Sequence, residues 1–167
     1  GEMLFRAAAC TGALYHIELY LVCGDLPELP AGVYHFGPGD FALRCLRQSD
    51  YRQLMVQATG GEPAVAAAPL IVICTSTFWR NAWKYRARAY RHSFWDAGTI
   101  LANVCAAATA RALPARLVLG FCDTLVNAVL ALDVPREVSL FLVGLGESQS
   151  APLPSPAVTP LTLAVAP

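Results

Sequence analysis

The apolar positions of this chain fall into short runs fenced by glycine, proline and aspartate. Residues 17–23 (IELYLVC), 70–74 (LIVIC) and 139–145 (SLFLVGL) are too short for ordinary helices and carry β-branched and aromatic side chains, so each predicts a buried core strand. Residues 33–36 and 41–46 flank the tight turn Gly37-Pro38-Gly39-Asp40 and predict a peripheral hairpin. Helical spacing is clearest in the Ala-rich stretch 97–112. There Ile100, Leu101, Val104, Cys105 and Ala108 recur at i, i+1, i+4 and i+5, with Asp96 as cap and Pro114 as stop, which predicts the central core helix. Further helices are expected over 51–57, from about Phe78 with Thr75 or Ser76 as cap, and after Gly120-Phe121-Cys122-Asp123, where Leu125, Val126, Val129 and Leu130 share a face. Gly60-Gly61-Glu62-Pro63 reads as a break, and residues 117–119 as a short extended piece. The expectation is an α+β fold, a mostly antiparallel sheet with helices packed on it.

Composition narrows the function classes. At 167 residues with 56% hydrophobic and 14% charged side chains, the chain holds one core, which we assign to residues 1–146. The Pro/Ser/Ala-rich remainder, 147–167, reads as a linker or extended arm whose TPLTLAVAP end is able to pair with a partner. Twelve Lys+Arg balance twelve Asp+Glu, so there is no global field favouring nucleic acid. No run approaches the roughly 18–20 apolar residues of a membrane span, and the first residues do not form a signal peptide. The low charge suggests apolar surface buried against a second copy or a neighbouring domain. The abrupt start suggests that the natural chain extends upstream. Cysteines 10, 23, 45, 74, 105 and 122 show no CxxC or Cys/His ligand spacing. They read as reduced, mostly buried thiols in a cytoplasmic protein, with no metal site.

Residues 78–98, FWRNAWKYRARAYRHSFWDAG, interleave Arg80, Lys84, Arg86, Arg88, Arg91 and His92 with Trp79, Trp83, Tyr85, Tyr90 and Trp95, and no carboxylate intervenes before Asp96. Such a stretch suits an anion, a flat ring or both: nucleic acid, or a phosphorylated aromatic cofactor such as a flavin. Lys84-Tyr85 is the pair best suited to chemistry, because an amine and a phenol side by side can exchange protons. The ordinary alternative is two solvated residues on a helix surface. Neighbouring helix positions point about 100° apart, so both line one cavity only if the helix ends or bends there. The turns at 10–14, 119–121 and 143–146 can bring backbone N–H groups to a ligand, yet none fits GxGxxG or a P-loop, and each alone is an ordinary turn. His16, His35 and His92 are scattered without a triad pattern. Glu18 reads as a strand-end charge and Asp123 as a helix cap.

Taken in order, GALYHIELYLV, a Gly-Val-Tyr-His-Phe hairpin, WKYRARAYRHSFWDAG leading into an Ala-rich helix, LPARLVLGFCDTLVNAVLALD and SLFLVGLG resemble the nitroreductase-fold dehydrogenases of the SagB/ThcOx type over about residues 5–146. The resemblance implies a nitroreductase-like fold in an FMN-dependent homodimer. It implies oxidation of thiazolines or oxazolines in a peptide to thiazoles or oxazoles, beside cyclodehydratase or synthetase machinery. It assigns Lys84 and Tyr85 as catalytic. Cys10, Thr11, Gly12, Ala13 and Leu14 stand where that family's Pro-Ser-x-Gly-Ala-Leu turn lies along the flavin, and Leu119-Gly120 matches the turn approaching flavin N5. For the phosphate, Arg6 or one of Arg86, Arg88 and Arg91 stands in for cations the family places upstream and after the last strand, where Glu147 follows Gly146 here. Other readings are an NAD(P)H-dependent nitroreductase or quinone reductase, and a flavin-free scaffold or peptide-binding partner.

Overall fold

The computed structural model of the protein describes residues 6–161. Six strands form one sheet: β1 (Ile17–Cys23), β2 (Gly32–Gly37), β3 (Ala42–Gln48), β4 (Leu70–Ser76), β5 (Ala115–Val118) and β6 (Val138–Leu145). They lie in the order β3-β2-β1-β4-β6-β5, and every neighbouring pair is antiparallel. The three apolar runs are therefore the adjacent central strands β1, β4 and β6. The 33–46 hairpin lies at one edge, as its Gly-Pro-Gly-Asp turn predicts.

Period-two alternation divides the sheet into two apolar faces. Tyr20, Val22, Ile71, Ile73 and Leu142 point to one side, where they pack with residues of α1 (Arg52–Ala58), α2 (Pro63–Ala67) and α5 (Asp123–Leu130). Ile17, Val72, Cys74, Phe141 and Val143 point to the other side, against Ala97, Ile100 and Leu101 of α4 (Ala89–Ala110). Ile71, Ile73 and Leu142 are fully buried; burial of each contributes about 1.5–3 kcal/mol, which ties the central strands to the helices over them. The architecture is the antiparallel α+β arrangement expected from the sequence.

Several local expectations are corrected. Thr75 and Ser76 are the last residues of β4, not caps; α3 (Trp79–Tyr85) starts after Phe78 with no side-chain cap. Helix α4 begins at Ala89, so Asp96 lies inside it, its carboxylate occupied elsewhere in the fold. That helix covers one face of the sheet and exposes Tyr90, Phe94 and Trp95, so it is not a central core helix. The expected break at Gly60-Gly61 separates α1 from α2, and Pro63 then starts α2, where proline at the first helical position needs no N–H partner and Glu62 accepts a hydrogen bond from the Ala64 N–H at 3.5 Å. The six cysteines are free, but only Cys23 and Cys74 are buried; Cys45 on the edge strand and Cys122 at the entry to α5 are exposed.

Beyond β6 the chain forms neither helix nor strand among the described residues, but it touches the domain. The Ser148 N–H donates to the Ala67 carbonyl at 2.8 Å, that of Leu153 to Asp50 Oδ2 at 3.4 Å, and Val158 packs on the α1/α5 side of the core. The pairing expected of the TPLTLAVAP end falls mostly outside the described residues. No helix among those described is long and apolar enough to cross a membrane.

Candidate active site

Lys84 and Tyr85 are the last two residues of α3. The helix stops there because Arg86 takes a left-handed backbone, φ 52°, before a single 3-10 turn leads into α4. The condition for both side chains to serve one site, a helix that ends at the pair, is met. Lys84 Nζ lies 5.3 Å from the centre of the Tyr85 ring, and the Arg88 guanidinium carbon 6.0 Å from it. The ring meets His92 edge-on, with centroids 4.6 Å apart, and His92 Nδ1 is 2.9 Å from Asn81 Oδ1. The phenol tip faces the turn before β1: a Cβ added at Gly12 would lie 2.5 Å from Tyr85 Oη. Gly12 has φ 63°, so its glycine identity serves both the left-handed backbone and the close approach of the phenol.

A buried polar network lies beneath this turn. Asp96 accepts from the Thr11 N–H at 2.9 Å, the Thr11 hydroxyl at 2.8 Å, the Cys10 thiol at 3.2 Å and His16 Nε2 at 2.9 Å. His16 Nδ1 lies 2.9 Å from the Ser76 hydroxyl, itself 3.1 Å from Ser93. A carboxylate at Nε2 fixes the tautomer: Nε2 carries the proton and Nδ1 accepts from Ser76. Burial pulls the His16 pKa below its ordinary value, overriding the attraction of Asp96. At Asp96, burial pulls upward, but the bonds from Thr11, Cys10 and His16 prevail and hold the carboxyl below its usual range. Burial, with the neighbouring Asp96, pushes the Cys10 thiol up to about 11. The pair is neutral imidazole and carboxylate. Cys10, His16 and Asp96 offer atoms within 4.8 Å of one another, a spacing that a metal could bridge. Three donors meet Asp96 Oδ2 and one meets Oδ1, which makes the cluster a hydrogen-bond hub.

The remaining expected residues disperse. Arg6 donates to the Ile17 carbonyl at 2.5 Å and lies over the Tyr15 ring at 5.3 Å. Arg88 is exposed near Tyr85, and Arg86, Arg88 and Arg91 form no salt bridge among the described residues. Leu119 and Gly120 are exposed just past β5, which is three strands from β1, or roughly 14 Å at sheet spacing. Glu147 follows β6, whose Leu145 pairs with Leu70; it stands at the end of the sheet opposite Ser76 and α3. It does not oppose an anion held near Lys84 of the same chain. A cavity of about 930 Å³ opens at the α3–α4 junction between Phe78, Ala82, Tyr90, Phe94 and Leu140, with Arg86 in its lining.

These residues fit part of an FMN site. The Gly12–Tyr85 approach would bound one side of a ring, the exposed Arg86, Arg88 and Arg91 would supply cations for a phosphate, and Leu119-Gly120 follows β5, three strands from β1. Sequence reasoning missed Asp96, His16, Ser76, Ser93 and Asn81. One signal was present: His92, Ser93 and Asp96 fall on the same side of the helix as the apolar Ala97, and polar residues on a buried helix face need partners.

The family model described as "Nitroreductase family" matches residues 8–147. The trifolitoxin-processing protein TfxB of Rhizobium leguminosarum bv. trifolii is 31% identical over 150 residues, covering 86% of this chain and 40% of TfxB. The microcin B17-processing protein McbC of Escherichia coli is 33% identical over 132 residues, covering 73% of this chain and 47% of McbC. The chain thus spans less than half the length of these relatives. Among solved structures, the E. coli microcin synthetase McbBCD complex with truncated pro-MccB17 bound superposes with a TM-score of 0.78 at 25% identity, over 89% of this chain and 57% of that one. With a six-stranded antiparallel sheet flanked by helices and a family match over residues 8–147, this chain belongs to the nitroreductase family.

Proposed function

We propose that the chain carries the proton-handling half of an FMN-dependent oxidoreductase that dehydrogenates thiazoline or oxazoline rings in a peptide. The observation that carries this reading is the placement of Lys84-Tyr85 at a helix end, with the phenol tip against the Gly12 turn, in a chain related to two peptide-processing proteins. Aromatising an azoline removes one proton and one hydride. FMN, when bound, supplies the two-electron acceptor. This chain's part is the proton: Lys84 Nζ or Tyr85 Oη, in its unprotonated form, takes it from the ring, and Lys84 Nζ lies 5.3 Å from the Tyr85 ring centre, so both flank one substrate position. The Gly12 turn limits how the substrate ring can lie against the phenol. Arg86, Arg88 and Arg91 orient the cofactor phosphate.

A second copy completes the site in this reading. Tyr90, Phe94 and Trp95 are exposed on α4, and Leu119-Gly120 follows β5, three strands from the β1 that carries the Gly12 turn. Titration of the purified protein with FMN, followed by its absorbance in the blue, tests cofactor binding. Incubation with a thiazoline peptide and oxygen tests the reaction, the expected product lacking two hydrogens. Absence of FMN uptake by the dimeric protein overturns the enzyme reading and favours a flavin-free peptide-binding domain.

A further inference from the structure

The turn that faces Tyr85 is held in an unfavourable backbone. Gly12, Ala13 and Tyr15 have φ of 63°, 53° and 47°. For Ala13 and Tyr15 the left-handed region costs on the order of 1–2 kcal/mol each, and such strain persists only where surrounding contacts over-determine it. Those contacts converge on one side chain. Asp96 takes both donors of Thr11 and the thiol of Cys10, and the Cys10 sulfur in turn accepts from the Tyr15 N–H at 3.1 Å. His16, the residue after the strained Tyr15, closes the ring back onto Asp96 and is fully buried. Asp96 is itself fixed on α4, and four residues before it on the same helix face stands His92, which packs edge-on against the Tyr85 ring.

We infer that Asp96 is the positioning residue of the site: together with His92 it lets one face of α4 set both walls of the seat in which the Tyr85 phenol lies. This rests on the proposed role of Tyr85, but the anchoring of the turn does not. Asp96 makes no hydrogen bond to the phenol among the described residues; it acts through Thr11 and Cys10 on the turn that carries Gly12. His92 is held in turn by Asn81, whose Oδ1 it meets and whose Nδ2 is buried without a partner among the described residues. That amide has a hydrogen bond to give if a ligand acceptor reaches it.

The test uses the full chain and two readouts, amide hydrogen exchange of residues 10–15 and FMN affinity by fluorescence quenching. Asp96→Asn keeps the volume but loses charge and an acceptor. It is expected to speed exchange across 10–15 at least tenfold, leave β1 and β4 protected, and weaken FMN at least tenfold. Thr11→Val with Cys10→Ala leaves Asp96 in place and removes two donors; it is expected to move both readouts in the same direction by roughly threefold or more, and it carries the test if Asp96→Asn does not fold. Unchanged exchange in 10–15 in either variant overturns the inference. So does faster exchange with unaltered FMN affinity in a protein whose wild type binds FMN. If the wild type takes up no FMN, the proposed function fails on its own, and the exchange result still decides whether Asp96 anchors the turn.

Discussion

Two buried carboxylates do different work in this fold. Asp50 meets Arg52, two residues away, through Nε and Nη2, with Arg52 Nη1 reaching the Ala68 carbonyl at 3.3 Å; both side chains are almost wholly buried. The pair closes the entry to α1 and receives the Leu153 N–H of the C-terminal stretch. Asp96 draws its partners from residues 80 to 86 positions away, and they hold strained backbone beside Tyr85. The chemistry is the same in each case, an ionised carboxyl surrounded by donors. One stabilises the framework and the other fixes a conformation the chain would not adopt alone, so burial and saturation by themselves do not mark a functional residue. Strained backbone alone does not either, since Ser49 beside Asp50 has φ 101°; what sets Asp96 apart is that its donors come from the turn facing Tyr85.

The largest effect expected on stability comes from the framework pair. Asp50→Ala leaves the Arg52 guanidinium buried without its counter-charge, a loss of about 3–5 kcal/mol. A urea midpoint shifted by that amount, with Tyr85 chemistry per folded molecule unchanged, keeps the two carboxylates distinct. Loss of turnover in the protein that remains folded breaks the comparison.

Gly12→Ala strikes the other side. A Cβ there sits in left-handed backbone, at about 1–2 kcal/mol, and would lie 2.5 Å from Tyr85 Oη, so the phenol must swing away. The expected result is a modest drop in melting temperature and a disproportionate fall in turnover. A fall in the two that matches in free energy means that the turn does not set the phenol.

The contrast between sites also explains what the sequence could reveal. Central strands were legible because apolar runs of that length, fenced by Gly and Pro, have few other uses, and the Lys84-Tyr85 pair stood out as chemistry in a charge-poor chain. Asp96 looked like a helix cap because Asp favours that position; that its carboxylate is taken by Thr11, 85 positions earlier, is a contact no local pattern records. His16 looked isolated for the same reason. The helix end at Arg86 depends on a left-handed arginine, which no propensity favours.

Acid tests the His16–Asp96 hub directly. His16 has its folded pKa below the ordinary 6.5, first because of burial, so the unfolded chain binds the proton more readily. The associated stability is complete above about pH 6.5 and is lost as pH falls from there through the folded value. Asp96 is likewise depressed, and its contribution fails only at lower pH, as the carboxyl protonates below the usual carboxylate range. Urea midpoints are expected to decline between pH 7 and 5, and His16→Gln, which keeps a donor and an acceptor but cannot charge, to flatten that decline. A pH 7 to 5 slope identical in the variant would show that His16 is not the titrating group.

Lys84→Ala has the smallest expected effect on stability. The side chain is exposed at the end of α3, where its ammonium lies 5.3 Å from the centre of the Tyr85 ring. Substitution of such a residue stays within about 0.5 kcal/mol, and alanine is a good helix former. A proton-transfer group contributes roughly 10²–10⁴-fold to rate, so turnover on an azoline peptide should fall by that factor while the melting temperature and FMN affinity hold. Because FMN uptake depends in this reading on Arg86, Arg88, Arg91 and the anchored turn, retained affinity with lost turnover separates the reacting pair from the frame that Asp96 holds. Lost affinity with intact turnover at saturating FMN reverses the assignment and makes Lys84 a phosphate contact.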